Sequence, residues 1–153
     1  MKLDCLDFLG ISENFTEEEI MVQKTAREFV SKEITPIIDE CFSKGIFPVE
    51  LIEKFSSLGF FGVNLPEKYG CAGMSHIAYG LICQELERLD SGIRSFVSVQ
   101  GSLVMYPIFA YGSEEQKIHW LPKLAKGDAI GCFGLTEPNF GSNPSGISDV
   151  SIS

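Results

Sequence analysis

Two short stretches of the chain carry residue types that could do chemistry. The first is Gly131-Cys132-Phe133-Gly134-Leu135-Thr136-Glu137-Pro138-Asn139-Phe140-Gly141-Ser142. It opens as an apolar run, breaks at Pro138 and turns through Asn139 and Gly141, residue types suited to turns. A buried strand ending in such a turn presents backbone N–H groups and the hydroxyls of Thr136 and Ser142 at one edge. That is a cradle for a planar, acceptor-rich ligand. The same residues also read as a strand followed by a polar loop. Pattern alone favours this plainer reading, because short motifs often match by chance. The second stretch is Arg94-Ser95, in the first turn of an apolar helix, with Glu87 on or beside the helix before it. A buried arginine there needs an anion or a carboxylate partner. On the residues alone, a snorkelling, surface-paired Arg94 is the simpler account. Glu85 and Glu87 likewise read first as a solvated helix face.

The elements that must position these residues are helices. Thr16 with Glu19 makes a capping box, and Glu17 and Glu18 bring negative charge to the positive helix end. Val22, Ala26, Phe29 and Val30 share one face at helical spacing. Pro36 is expected to break or restart that helix, and Ile37, Ile38, Cys41 and Phe42 continue an apolar stripe to Gly45. Pro48 suits the first turn of a helix with Leu51, Ile52, Phe55 and Leu58 inward, stopped by Gly59. The stretch 60–75 reads as a packed-down loop punctuated by Gly62, Pro66, Gly70 and Gly73. Ser75 caps a helix to about Leu89, with Ile77, Ala78, Leu81, Ile82, Leu86 and Leu89 inward. Asp90-Ser91-Gly92 turns into a second helix, Ile93 to Tyr111, apolar almost all round and kinked or interrupted at Pro107. Ser113 with Gln116 caps the last helical piece, which Pro122 is expected to split. Ala129 to Leu135 is the one good strand, and the tail after Asn143 looks frayed.

Composition narrows the class. A chain of 153 residues with 44% hydrophobic residues can bury a core as one domain. A net charge of −9 disfavours non-specific nucleic-acid binding. No apolar run is long enough to span a bilayer. Met1 to Gly10 lacks the pattern of a secretory or organellar presequence. Five cysteines, Cys5, Cys41, Cys71, Cys83 and Cys132, form no Cys-x-x-Cys pair and suggest free thiols in a reducing compartment. His76 and His119 are far apart in sequence, with no metal-ligand spacing.

Leu135-Thr136-Glu137-Pro138-x-x-Gly141-Ser142 resembles the flavin-site signature of the acyl-CoA dehydrogenases. The longer run Gly131 to Ser142, with Asp90-Ser91-Gly92-Ile93-Arg94-Ser95 upstream, is most similar to the glutaryl-CoA type. The resemblance extends from about Thr16 to Pro144. It implies an all-α fold, with a helical N-terminal domain over residues 1–128 and the first strand of a middle β domain within 129–153. It implies FAD as cofactor, with Phe133, Leu135 and Thr136 against the isoalloxazine and Ser142 near FAD and the CoA arm. Arg94 with Ser95 would hold the distal carboxylate of the acyl group, and Glu87 would share that pocket or simply pair with Arg94. Arginine can grip a carboxylate with two parallel bonds, which lysine cannot.

The resemblance further implies an acyl-CoA substrate, a homotetramer and electron-transferring flavoprotein as electron acceptor. The compartment would be the cytoplasm for a bacterial chain or the mitochondrial matrix for a processed eukaryotic one. The reaction implied is oxidation of the acyl α–β bond, followed by decarboxylation to crotonyl-CoA. The family's catalytic base is a glutamate of the C-terminal domain, and no segment here matches it. No catalytic residue is therefore assigned, no metal is expected, and the chain by itself should neither turn over an acyl-CoA nor hold FAD well. Two departures stand out: Asn143 replaces the usual Asp, and the pattern is lost after Pro144. Two other readings stay open. One is a catalytically incomplete helical interaction domain or a degenerate gene product. The other is a dehydrogenase or oxidase for another short-chain acyl-CoA.

Overall fold

Thr16 starts the helical frame as its chemistry requires. Its hydroxyl accepts the Glu19 N–H at 3.2 Å, and the Glu19 carboxylate accepts the Thr16 N–H at 2.9 Å. From this box runs α1, Glu17–Phe29. The computed structural model describes residues 7 and 9–147 of the chain. Cys5 and the end of the tail, 148–153, lie outside the described residues.

Pro36 does not break the chain's course. A π-helical stretch, Val30–Ile34, joins α1 to α2, Thr35–Lys44. Widening the helix just ahead of proline relieves its clash with the preceding turn. Pro48 lies before α3, Leu51–Ser57, and its carbonyl accepts the Leu51 N–H. The stretch after α3 is a loop, as expected, and it is pinned down by buried Phe60, Phe61, Val63, Leu65 and Tyr69. Ser75 caps α4, His76–Glu87, by accepting the Ala78 N–H at 3.0 Å. Asp90 caps α5, Ser91–Ser98, by accepting the Ile93 N–H at 2.7 Å.

The single helix expected over Ile93 to Tyr111 is three pieces: α5, a π-helical stretch Val99–Met105, and α6, Tyr106–Tyr111. The π stretch again lies just ahead of a proline, here Pro107. Nor is the segment buried on all sides, for Leu103, Tyr106 and Tyr111 are exposed. Ile77, Leu58 and Phe42, expected inward, are exposed as well. The last helix, α7, Glu114–Lys126, keeps the Ser113–Gln116 capping box and runs unbroken through Pro122. Its buried Leu121, Leu124 and Ala125 anchor it on both sides of the one hydrogen bond that proline removes. Gly127, at φ 74°, ends it in the left-handed conformation that glycine adopts without penalty.

The core is an aromatic cluster. Phe29 meets Phe55 and Phe60 edge-on at centroid distances of 5.6 and 5.7 Å, and Phe61 meets Phe55 and Phe96. Around it pack Leu51, Leu65, Ile82, Leu86, Val97, Met105 and Leu121. Each such side chain removed from water contributes about 2 kcal/mol. The frame on that core has a fixed sense. The Ser75 hydroxyl donates to Glu19 at 2.6 Å, joining the starts of α4 and α1, while Arg27 pairs with Glu85 at 2.7 Å near their ends. The two helices therefore run parallel. Glu85 is not on a solvated face: its side chain is 2% exposed and bridges Arg27 and Arg88.

The expected strand at Ala129 to Leu135 does not form. The segment has no regular secondary structure, and no strand ladder exists among the described residues. A ladder needs a second backbone, and at Gly131 the segment meets the side chains of Gln100 and Val104 instead.

Candidate functional site

Helices α4 and α5, linked by the Asp90 turn, run antiparallel and share a polar seam. On α4, Tyr79, Cys83 and Glu87 recur every four residues, and Arg94, Ser98 and Ser102 do the same on the other side. Arg94 donates from Nε to Glu87 at 2.6 Å and from a terminal nitrogen to Ser98 at 3.3 Å. Ser91 donates to the other Glu87 oxygen at 2.7 Å. At the far end of the seam, the Tyr79 and Ser102 hydroxyls lie 2.6 Å apart.

The electrostatics follow from this packing. The hydrogen bond from Arg94, then that from Ser91, holds the Glu87 carboxyl below its ordinary range. The same bond to Glu87 raises Arg94 further. Burial pushes the Cys83 thiol up, so it stays neutral near pH 7. Arg94 is thus a permanent cation fixed at one edge by Glu87. Its second terminal nitrogen has no protein acceptor among the described residues, and its side chain is 34% exposed. Ser95 follows it, half-buried, its carbonyl accepting the Ser98 hydroxyl at 3.1 Å.

The second predicted group lies on the irregular segment after α7. Phe133 and Leu135 are 51% and 45% exposed, and Thr136 and Ser142 are exposed too. The Pro138-Asn139 turn forms as expected: Glu137 and Phe140 exchange two backbone hydrogen bonds of 3.1 Å. Among the described residues, the N–H groups of 132–136 donate to no protein acceptor. A row of open donors, a threonine hydroxyl and two exposed apolar side chains suit a flat, acceptor-edged ring system such as a flavin. No hydrogen bond or ion pair joins this segment to Arg94, Ser95 or Glu87 among the described residues. The two groups are nonetheless tied to one frame, because the segment crosses the π-helical stretch Val99–Met105, which continues the helix that carries Arg94.

Sequence reasoning missed how it crosses. Gln100 is buried, and its amide nitrogen donates to the carbonyls of Leu124 and Ala129, each at 2.9 Å. Its amide oxygen accepts the Gly131 N–H at 2.9 Å. The signal was a lone amide in an apolar run, since a buried amide must find partners. The seam residues Tyr79, Cys83, Ser98 and Ser102 were also missed. Among the described residues, no cluster of His, Cys, Asp or Glu could hold a metal ion, and no helix is long and apolar enough to cross a membrane. Cys41, Cys71, Cys83 and Cys132 are free thiols.

The helical frame is shared with known proteins. The acyl-CoA dehydrogenase N-terminal domain matches residues 16–128. The crystal structure of a glutaryl-CoA dehydrogenase from Mycobacterium smegmatis in complex with FADH2 superposes with a TM-score of 0.83 at 54% identity, over 87% of this chain and 34% of that one. Butyryl-CoA dehydrogenase from Megasphaera elsdenii superposes with a TM-score of 0.80 at 38% identity, over 87% of this chain and 36% of that one. An acyl-CoA dehydrogenase of Bacillus subtilis (strain 168) is 37% identical over 137 residues, 90% of this chain and 36% of its own length. The chain thus spans about a third of the length of the relatives it matches. The matched span, residues 16–128, holds every helix from α1 to α7, and the chain belongs to the acyl-CoA dehydrogenase family.

Proposed function

We propose that this chain is the N-terminal part of an FAD-dependent dehydrogenase of glutaryl-CoA type. Arg94, with Ser95 beside it, takes the distal carboxylate of the acyl group, and Glu87 orients the guanidinium. Phe133, Leu135 and Thr136 meet the flavin ring, and Ser142 lies near FAD and the CoA arm. FAD, when bound, accepts the β-hydrogen of the acyl chain as hydride. The chain's part is to hold the acyl terminus with Arg94 and to offer the N–H groups of 132–136 to the ring's acceptor edge. The proton on the α-carbon is left to a base outside this chain. Electron-transferring flavoprotein as acceptor, and a homotetramer, belong to the same reading.

The observation that carries the proposal is the guanidinium of Arg94. It is fixed by Glu87 and Ser98 on one side and open on the other. A plain fatty acyl chain gives such a cation nothing to bind, whereas a terminal carboxylate completes it. The 54% identity to a glutaryl-CoA dehydrogenase supports the same choice.

The test is a substrate comparison in a polypeptide of the relatives' full length that begins with this chain. Arg94→Ala should lower kcat/KM for glutaryl-CoA on the order of a hundredfold. For butyryl-CoA it should change the constant by less than about threefold. Equal losses for both substrates would make Arg94 structural and remove the basis for the dicarboxylic reading.

A further inference from the structure

We propose that Gln100 is a positioning residue for the flavin-facing segment, acting as a one-residue substitute for the β-strand partner that the segment lacks. The inference rests on the flavin reading of 133–136 given above. A strand neighbour would offer alternating donors and acceptors to the segment's backbone. Gln100 does so with a single side chain: its amide nitrogen bonds the Ala129 carbonyl and its amide oxygen bonds the Gly131 N–H. These two groups are spaced as one strand residue would meet them. The third bond, to the Leu124 carbonyl, ties the same amide to the last turn of α7. The exit of α7 and the course of the segment are thereby set by one planar group, two residues before Phe133.

A second observation bears on the same crossing. Gly131 lies against Val104, one turn after Gln100. A Cβ placed on Gly131 would fall within 2.7 Å of Val104 Cγ2. No side chain fits there unless Val104 gives way. Gln100 therefore fixes the segment's direction, and the Gly131–Val104 contact fixes its depth. Both side chains belong to the π-helical stretch ahead of Pro107. Phe133, Leu135 and Thr136 then leave this crossing exposed. Where they point depends on the two fixed backbone groups behind them.

The experiment has two readouts. Hydrogen–deuterium exchange of peptides covering 129–136 is measured in this 153-residue chain without flavin. FAD affinity is measured in the full-length polypeptide from the change in flavin absorbance. Gln100→Leu, of similar volume, should speed exchange of the Gly131 N–H roughly tenfold or more, against the amides of 132–136, which have no protein acceptor and serve as the freely exchanging reference. Exchange in α1 and α4 should stay near the wild-type rate. The same substitution should weaken FAD binding by roughly tenfold. A merely structural role would raise exchange throughout the frame, or leave FAD affinity untouched, and either result overturns the proposal. Gly131→Ala supplies an arm that leaves Gln100 in place. It should weaken FAD comparably, and Val104→Ala in the same chain should restore most of the loss. Wild-type affinity in Gly131→Ala, or no recovery in the double variant, also counts against the proposal. A wild-type polypeptide that binds no FAD sinks the flavin reading instead, while the exchange arm still decides whether Gln100 holds the segment.

Discussion

Two glutamates lie two residues apart on α4, and both pair with arginine. Glu85 is 2% exposed and bridges Arg27 at 2.7 Å and Arg88 at 3.2 Å. Glu87 is 45% exposed and holds Arg94 at 2.6 Å. The first carboxylate is surrounded by cations and saturated. The second leaves its arginine with an open edge. In a helix, a step of two residues turns a side chain to nearly the opposite face. The same residue type thus serves as a lock between α1 and α4 on one side and, in the proposed function, as an orienting arm on the other. Pairing by itself therefore does not mark a site, and neither does an open donor, since Arg88 bonds Glu85 through Nε alone.

The comparison is broken most severely at Glu85. Glu85→Ala leaves Arg27 and Arg88 facing each other across the α1–α4 contact. It should cost about 2–4 kcal/mol, softened by the partial exposure of both arginines, and lower the thermal midpoint by roughly 5–12 °C. A calorimetric midpoint within about 2 °C of wild type would show the bridge to be dispensable. Next in size is the acid response. Burial pushes the Glu85 carboxyl up, but the bonds and charges of Arg27 and then Arg88 outweigh it and hold it below its ordinary 4.5. A depressed carboxylate stabilises the fold above its unfolded-state value and loses that contribution as pH falls through the folded one. The stability gap between wild type and Glu85→Gln should therefore narrow as pH drops below about 4.5. A gap that is constant from pH 7 to pH 3 in urea melts would contradict this.

Glu87→Gln should behave in the opposite way. The thermal midpoint should move by no more than about 2 °C, because exposed pairs are worth little. On the proposed function, the preference for glutaryl-CoA over butyryl-CoA in the full-length polypeptide should nevertheless fall, since Arg94 loses its fixed edge. A large midpoint shift with unchanged preference would make Glu87 a second Glu85. The smallest effect is expected from Ser91→Ala, which removes one exposed bond to Glu87. A change of about two- to threefold in KM for glutaryl-CoA, with kcat steady, fits one lost outer contact.

Much of this frame could be read from residues close in sequence. The boxes at Thr16–Glu19 and Ser113–Gln116, the cap at Ser75 and the stop at Gly127 each depend on neighbours within four residues. They form as read. What depends on distant partners was not legible. Three prolines follow helical sequence, yet two are preceded by π-helical stretches and Pro122 is simply absorbed. The difference lies in what packs around each. The apolar run at Ala129 to Leu135 has strand composition, but ladder pairing comes from another backbone, and there a glutamine side chain supplies it. Glu85 was misread because burial at one helix position depends on Arg27, 58 residues earlier. Arg94, Ser95, Thr136 and Ser142 take their proposed roles from a family motif. Their residue types would suit many surfaces.

The bond between Glu19 and Ser75 has a consequence for how the protein meets acid. One carboxylate accepts the Thr16 N–H at the start of α1 and the Ser75 hydroxyl that caps α4. The Ser75 hydroxyl, then Thr16, keeps that carboxyl below its ordinary range, so it stays charged until the pH is low. A single proton added there weakens a carboxylate that two helix beginnings share, one of them through a bond spanning 56 residues of sequence. The two parallel helices should then fray together at their starts, in one titration step, while Arg27 and Glu85 still hold the other end.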